Sequence, residues 1–417
     1  MRQHRIQYCL IPLLIGLLAC SACAEDWPQY RGPGGQGISH VKNLPTTWSD
    51  TKNLTWKTAL PGAGSSSPIA LGNRLYVTCY SGYGSGVENP GTLDDLRMHL
   101  ICLDGRNGTL IWNTPIKPTL PEEKRIRDHG YTAQTPATDG KHLYCFFGKT
   151  GVIKFDLQGK QLWQTSVGSD THGWGSGTSP VLYKDLVIVN ASVESSSLVA
   201  LSKSNGQEVW RAPGMKSSWN TPHLVTTPNG QQELVVSVKG FVIGFDPVTG
   251  NELWRCDSTN DYICPSIVSQ QGIVYAIGGR SSQALAIRSG GRGNVTDSHR
   301  LWLAKVGANV SSPVVHDGHL YWVSDRNKTA YCLSLTDGSV KYEERVTDQP
   351  YASTLLADGR LYVVTRRGGT LVLAAKPEYT LLAHNKLSDK SQFNASPIVF
   401  DGSLILRSDS NLYCFKK

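Results

Sequence analysis

Ser312-Pro313-Val314-Val315-His316-Asp317-Gly318-His319-Leu320-Tyr321, followed by Cys332-Leu333-Ser334 and then by Gly338 and Tyr342, holds in one stretch the parts that decide the fold. Proline suits the first residue of a strand, where its missing N–H costs no ladder bond. Asp-Gly between apolar runs marks a hairpin, because both residues tolerate the positive φ of a tight turn. Leu320-Tyr321 then starts an alternating strand. Further on, the Ser334 side chain accepts backbone N–H groups in a turn, Gly338 takes the left-handed position, and the Tyr342 ring is left to bury itself against a neighbour.

The same order recurs along the chain. Opening steps stand at Ser67-Pro68, Thr135-Pro136, Ser179-Pro180, Thr221-Pro222, Cys264-Pro265 and Ser396-Pro397, with Ser353-Thr354 lacking the proline. Most starts lie about 40–48 residues apart, the length of a four-stranded propeller blade. The first unit is longer, through insertions around 80–97 and 117–130. Asp139-Gly140, Asp358-Gly359 and Asp401-Gly402 repeat the hairpin signal. The turn with its ring recurs as Asp104, Gly108, Trp112 and as Asp246, Gly250, Trp254. Ser202, Gly206, Trp210 keeps the spacing, and Asp156, Gly159, Trp163 is one residue tighter. Each ring buried on the next unit contributes about 2–3 kcal/mol, so these aromatics read as clasps between blades. A small residue, Cys102, Ala200, Gly244 or Cys332, lies two places before the turn residue, and Cys414 matches it; these cysteines read as small core residues.

Eight copies predict an all-β, eight-bladed propeller. The last copy stops at Leu412-Tyr413-Cys414-Phe415 without a fourth strand, while Leu54-Thr55-Trp56-Lys57-Thr58 stands alone before the first copy. The N-terminal strand with Trp56 is expected to complete the last blade, removing both open sheet edges. One propeller domain over 50–417 follows, with 25–49 as a lead-in.

Composition agrees: 42 Gly, 21 Pro, 3 Met and 40% hydrophobic residues in 417 describe an ordered β protein. Residues 1–24 read as a signal segment, with Arg2 and Arg5 before the apolar Leu10–Leu18. Two cleavage readings stay open. Ala22-Cys23-Ala24 fits ordinary signal peptidase, and Leu17-Leu18-Ala19-Cys20 fits a lipobox that would lipidate Cys20 and anchor the chain to the outer membrane. Either way the chain is expected in the bacterial envelope. Removing 1–24 lowers the net charge from +8 to +6 and the cysteines from ten to seven. The basic residues are dispersed, so no nucleic-acid footprint is present. No zinc spacing occurs among the seven cysteines; Cys256 and Cys264 flank one short loop and are candidates for a disulfide.

The repeat Ser-Pro…Asp-Gly…Leu-Tyr…Asp-x-x-x-Gly-x-x-x-Trp resembles the pyrroloquinoline-quinone (PQQ) repeat of quinoprotein dehydrogenases and of the assembly lipoprotein BamB. Asp26-Trp27-Pro28-Gln29-Tyr30-Arg31-Gly32-Pro33 is similar to the opening of PQQ-like propellers abundant in planctomycetes. The resemblance spans about 26–417 and implies a fold in which turn and Trp clasp blades. Repeats five and seven depart from it. Arg288 replaces the turn Asp and an insertion, Ser289–Arg300, precedes the clasp Trp302; Ala374 and Leu382 replace Asp and Trp. Family alcohol dehydrogenases carry adjacent cysteines, a calcium site and a catalytic Asp; no Cys-Cys pair occurs here.

Residues not consumed by the repeat lie in connections from one blade to the next. They are Arg127, Asp128, His129 and Tyr131; His172 and Trp174; Trp219 and Asn220; Asp261 and Tyr262; then Tyr351 and Asn394. Rings with Asp, His and Asn converging on one mouth suit a small ligand or peptide; the plainer reading is a polar cap on the channel. His129 and His172 without a placed carboxylate make no metal site. His316 and His319 belong to a hairpin, Gly34-Gly35-Gln36-Gly37 has no flanking strand and helix for a nucleotide, and no nucleophile elbow occurs. The expectation is a monomeric, non-catalytic, BamB-like envelope scaffold that binds an envelope protein without a cofactor. The alternative is a quinoprotein oxidoreductase using PQQ with calcium.

Overall fold

Each opening step leads into a short inner strand, and the hairpin signal turns it back into a longer second strand. The computed structural model describes residues 26–84 and 90–417; both cleavage readings and Cys20 lie outside them. Blade 1 is Ile69–Leu71, Arg74–Ser81, Arg97–Asp104 and Leu110–Ile116, paired antiparallel in that order. Blades 2 to 7 repeat this meander, so the fold is the expected eight-bladed propeller. Blade 8 takes Ile398–Phe400, Ser403–Arg407 and Asn411–Phe415 from the C-terminus, and its outer strand is Leu54–Ala59, with Trp56 opposite Cys414. The ring is closed by the two ends of the chain. Helix is almost absent, one turn at Thr296–His299, and no helix among the described residues is long and apolar enough to cross a membrane.

Three of the four Asp-Gly hairpins are two-residue turns with both φ positive, as at Asp317 (44°) and Gly318 (72°). The fourth differs: Asp139 keeps negative φ, its carboxylate accepts N–H bonds from Lys141 and His142, and the last ladder pair is Thr138 with Leu143, so four residues make the turn.

Every outer strand carries a β-bulge beside its clasp position. In blade 1 Trp112 pairs with Cys102 and Leu110 with Leu103, so Ile111 is extra. The bulge turns the ring sideways onto the next blade and pushes its neighbour out, which explains the exposed Ile111, Leu162, Val209, Leu301 and Leu382. Trp56 lies over Gly108, Trp112 over Gly159, Trp163 over Gly206, Trp210 over Gly250 and Trp302 over Gly338. Trp56 Nε1 donates to Gly105 O (2.9 Å) and Trp302 Nε1 to Leu335 O (2.8 Å). The turn carboxylates of Asp104, Asp156 and Asp246 accept backbone N–H bonds within their own turns. Thr58, Thr114 and Thr165, two residues after their Trp, each donate to the carbonyl of the same glycine.

Trp254 behaves otherwise, because blade 5 has lost the receiving turn. Its ring lies on Gly244 of its own blade and its Nε1 donates to the buried Glu233 (2.7 Å). The insertion Ser289–Arg300 covers this edge: Gly293–Asn294 pairs in parallel with Trp254 and Arg255.

Buried apolar clusters lie between blades, each joining two neighbours. Cys102, Cys332 and Cys414 are buried in such clusters. Cys256 and Cys264 are both free thiols, so the candidate disulfide is not formed.

The opening residues of the inner strands form a belt of hydrogen bonds around the axis. The N–H of Ser67 donates to Thr135 Oγ1, Thr135 to Ser179, Ser179 to Thr221 and Thr221 to Ser266, and the series runs on through Ser312 and Ser353 to Ser396, at 2.9–3.1 Å. These inner N–H groups have no strand beside them, and the next blade's hydroxyl satisfies each one. In blade 5 the opening position is therefore Ser266; the Cys264-Pro265 step read from the sequence lies two residues early.

Candidate functional site

The lead-in fills one end of the channel. Trp27 bridges to Ala70 of blade 1, and Ile38–Ser39 pairs in parallel with Leu356 and Ala357 of blade 7. Between them, turns at Gly32 to Gly37 carry the chain across the axis, where Gln36 Nε2 donates to Ser269 O (2.9 Å). The glycines serve this crossing. Tyr30 stands in the channel with its hydroxyl 3.0 Å from Ser353 Oγ. The axial cavity above it, of about 390 Å³, has Tyr30 and the hydroxyls of Ser67, Thr221, Ser266, Ser353 and Ser396 among its lining.

Its walls come from blade-to-blade connections and from hairpins between second and third strands, which share one face. On one side Trp174 lies 5.2 Å from Trp219 and 4.6 Å from Tyr262 between ring centroids. Trp219 is held by its Nε1 on Gly175 O (2.8 Å), and its backbone exchanges bonds with the 263 segment. Arg280 lies over the Tyr262 ring and donates from Nε to its hydroxyl (3.0 Å).

Next to Trp174 along the rim stand Arg127, whose backbone N–H donates to Gly173 O (3.0 Å), Asp128 and His129, and the rim continues through Asn394 and Tyr351. Asp128 pairs with Arg366 (3.0 Å), whose guanidinium lies over Tyr351, and Asn394 Nδ2 donates to Asp128 O (2.9 Å). His129 is half-buried, loss of hydration lowers its pKa, and its Nδ1 lies 3.0 Å from Gly130 O. Asp325 accepts N–H bonds from Asn309 (2.9 Å) and Val310 (2.8 Å), and burial raises its pKa. Burial also raises the Cys264 thiol, so it stays protonated near neutral pH.

Eight of the residues read from the sequence line this cavity: Arg127, Asp128, His129, Trp174, Trp219, Tyr262, Tyr351 and Asn394. The structure places four elsewhere. Asn220 is fully buried, with its amide on Ser218 Oγ and Ser237 O. Asp261 accepts from the N–H groups of Tyr262 and Ser281. Tyr131 is buried beside Tyr80 and donates to Glu123 O (2.6 Å). His172 supports Trp174 and Trp219 from behind, at 5.4 and 5.2 Å. Tyr131 and His172 instead line a second cavity of about 30 Å³, with Glu122, Glu123, Asp170 and Glu194. His129 and His172 thus face different cavities, and no three His, Cys, Asp or Glu among the described residues are placed to hold a metal.

Arg280, Asp325 and Arg366 are the charged lining residues that sequence reading missed. All three follow a second strand, after Gly278-Gly279, Ser324 and Thr365. Aligning the repeats on the second-strand tyrosines puts Asp325 and Arg366 at one position and Arg280 one residue beyond it.

Two family models match the chain: outer membrane protein assembly factor BamB over residues 95–218, and the EMC1 N-terminal β-propeller domain over 175–390, just over half of the sequence. No curated protein matches. Among solved structures, BamB from Moraxella catarrhalis is similar at TM-score 0.62 and 13% identity, covering 87% of this chain and 99% of that one. Quinohemoprotein alcohol dehydrogenase from Comamonas testosteroni is similar at TM-score 0.62 and 11% identity, covering 94% and 80%. At such identities these structures share the fold alone. With repeats, ring closure and family models in agreement, the chain belongs to the PQQ-like β-propeller family, and the EMC1-type propeller model covers the larger part of it.

Proposed function

We propose that this chain is a non-catalytic, exported binding propeller of the bacterial envelope, a BamB-like scaffold that grips an envelope protein at its axial funnel. The observation that carries the reading is how the funnel's side chains are spent. Rings and guanidiniums face the cavity, whereas Asp128 is paired with Arg366, Asp325 is turned onto backbone N–H groups and the His129 Nδ1 is turned onto Gly130 O. A wall of aromatic and guanidinium groups is a binding surface; general-base chemistry needs a carboxylate or imidazole free to take a proton. Export rests on the N-terminal segment, and the name of the matched model, an outer membrane protein assembly factor, points to work beside that membrane.

The dehydrogenase neighbours make PQQ with calcium the second reading to test. The funnel's donors do not fit a calcium-held quinone: neither carboxylate is free, and Cys264 has no neighbouring cysteine. The experiment is a pull-down from the native envelope with wild type, a Trp174→Ala/Arg280→Glu variant in the funnel and Lys141→Glu on the opposite face. Loss of one partner in the funnel variant alone is the expected result. Retention in all three overturns the reading, and stoichiometric PQQ binding with dye-linked alcohol oxidation replaces it with the quinoprotein one.

A further inference from the structure

We infer that the funnel receives the carboxyl-terminal end of a protein partner, its last side chain on Trp174, Trp219 and Tyr262 and its α-carboxylate at Arg127 and Arg280. This rests on the reading of the funnel as a binding site and adds the chemistry of what enters.

The first argument is shape. Tyr30, bonded to Ser353, stands with the hydroxyl belt at one end of the cavity, and the lead-in crosses the axis behind it. A chain cannot pass through. An internal segment would have to enter and leave by one mouth, and 390 Å³ is the size of a pocket for one small ligand. An end of about two or three residues fits that space.

The second argument is charge. Among the described residues the Arg127 side chain makes no hydrogen bond or ion pair, and Arg280 spends only Nε, on Tyr262. Two further guanidiniums are buried next to the lining. Arg31, beside Tyr30, donates to the carbonyls of Gln36 and Pro313; Arg407 donates to Ser66, between the lining residues Ser65 and Ser67. Among the described residues neither forms a salt bridge, each leaves two nitrogens without a partner, and the half-buried Asp409 partly offsets Arg407. Buried cations without a counter-ion are costly and leave a positive potential in the space they flank. The two lining carboxylates do not cancel it, since Asp128 is matched to Arg366 and Asp325, turned onto the N–H groups of Asn309 and Val310, is one charge against those of both Arg127 and Arg280. The cavity therefore selects a carboxylate over an amino terminus, and its rings give an apolar or aromatic last residue a seat.

The test uses the mature protein and acetylated tripeptides carrying each of the twenty last residues, as free acids and as amides, read by tryptophan fluorescence and calorimetry. The expected result is that acids with an apolar or aromatic last residue bind at least tenfold more tightly than their amides. Arg127→Gln with Arg280→Gln should erase that difference, and Arg280→Lys should keep part of it. Equal binding of acids and amides overturns the carboxylate inference and leaves the funnel a peptide site. No acid binding better than its amide, together with tight binding of free PQQ in a parallel arm, overturns both this inference and the scaffold reading.

Discussion

Gly159 has no side chain because Trp112 occupies the space: a Cβ there would lie 2.8 Å from the ring and 2.7 Å from Thr114 Oγ1. Gly140 has a similar positive φ, yet a Cβ there would meet nothing within 4 Å. The two alanine substitutions therefore separate backbone strain from lost packing. Gly140→Ala should cost about 1 kcal/mol and Gly159→Ala about 3 kcal/mol, compared by urea unfolding. A second residue-scale prediction concerns the small cavity. Glu194 is buried with Oε2 unpartnered, and burial pushes it up to about 7; Glu122, facing the same cavity, is also pushed up to about 7. The folded state then holds these protons more tightly than the unfolded chain does. The stability they contribute is full below about pH 4.5 and is lost as the pH rises through about 7. Glu194→Gln cannot ionise and should be more stable than wild type by about 2 kcal/mol at pH 8, with little difference at pH 4. Glu122 leaves a residual slope in the variant, and thermal melting across pH 4–8 measures both.

At the scale of the element, the lead-in supplies what the repeats lack. Blade 7 has Ala383 at the clasp position, opposite Val372, with Leu382, which the sequence spacing put there, as the extra residue of the bulge; its outer strand offers no ring to blade 8. Trp48 stands there instead, its ring 6.3 Å from Tyr362 of blade 7 and 5.4 Å from Phe415 of blade 8, and its backbone N–H donates to Asn385 Oδ1 (2.8 Å). In blades 1, 2 and 5 the equivalent tyrosines meet their own clasp Trp, so Trp48 fills the vacant place from outside the repeat. Trp48→Ala should destabilise the protein by about 3 kcal/mol or more, read as a lowered urea midpoint, although no repeat contains it. From the sequence, 25–49 could be seen only as a prelude. The jobs of Tyr30 and Trp48 were hidden because their partners, Ser353 and Asn385, lie more than 300 residues away.

For the whole molecule, closure by Leu54–Ala59 joins the two ends of the chain in one sheet. Removing residues 1–60 should leave the strand Asn411–Phe415 as an open edge and also take away the channel plug. The truncated protein should elute as aggregates in size-exclusion chromatography where the full-length mature chain elutes as a single species. The blades, their number and the closing strand could be read from the sequence because the repeat is local: strand, turn and ring recur within about 45 residues, and each copy states its own hydrogen-bonding and packing needs. Loops were harder, for the same reason. Asn220 and Tyr262 look alike as polar or aromatic loop residues, yet one is locked under the sheet and the other faces the axis. Arg280, Asp325 and Arg366 gain meaning only when blades 5, 6 and 7 stand around one axis. The sequence by itself determined an eight-bladed ring, most of its clasps and its closure, because each copy states its own strands and contacts and the last copy lacks the one strand that the segment around Trp56 supplies. Only the tertiary structure decided that the channel is stopped at one end and which charges and rings meet at the other, because those contacts join residues separated by most of the chain.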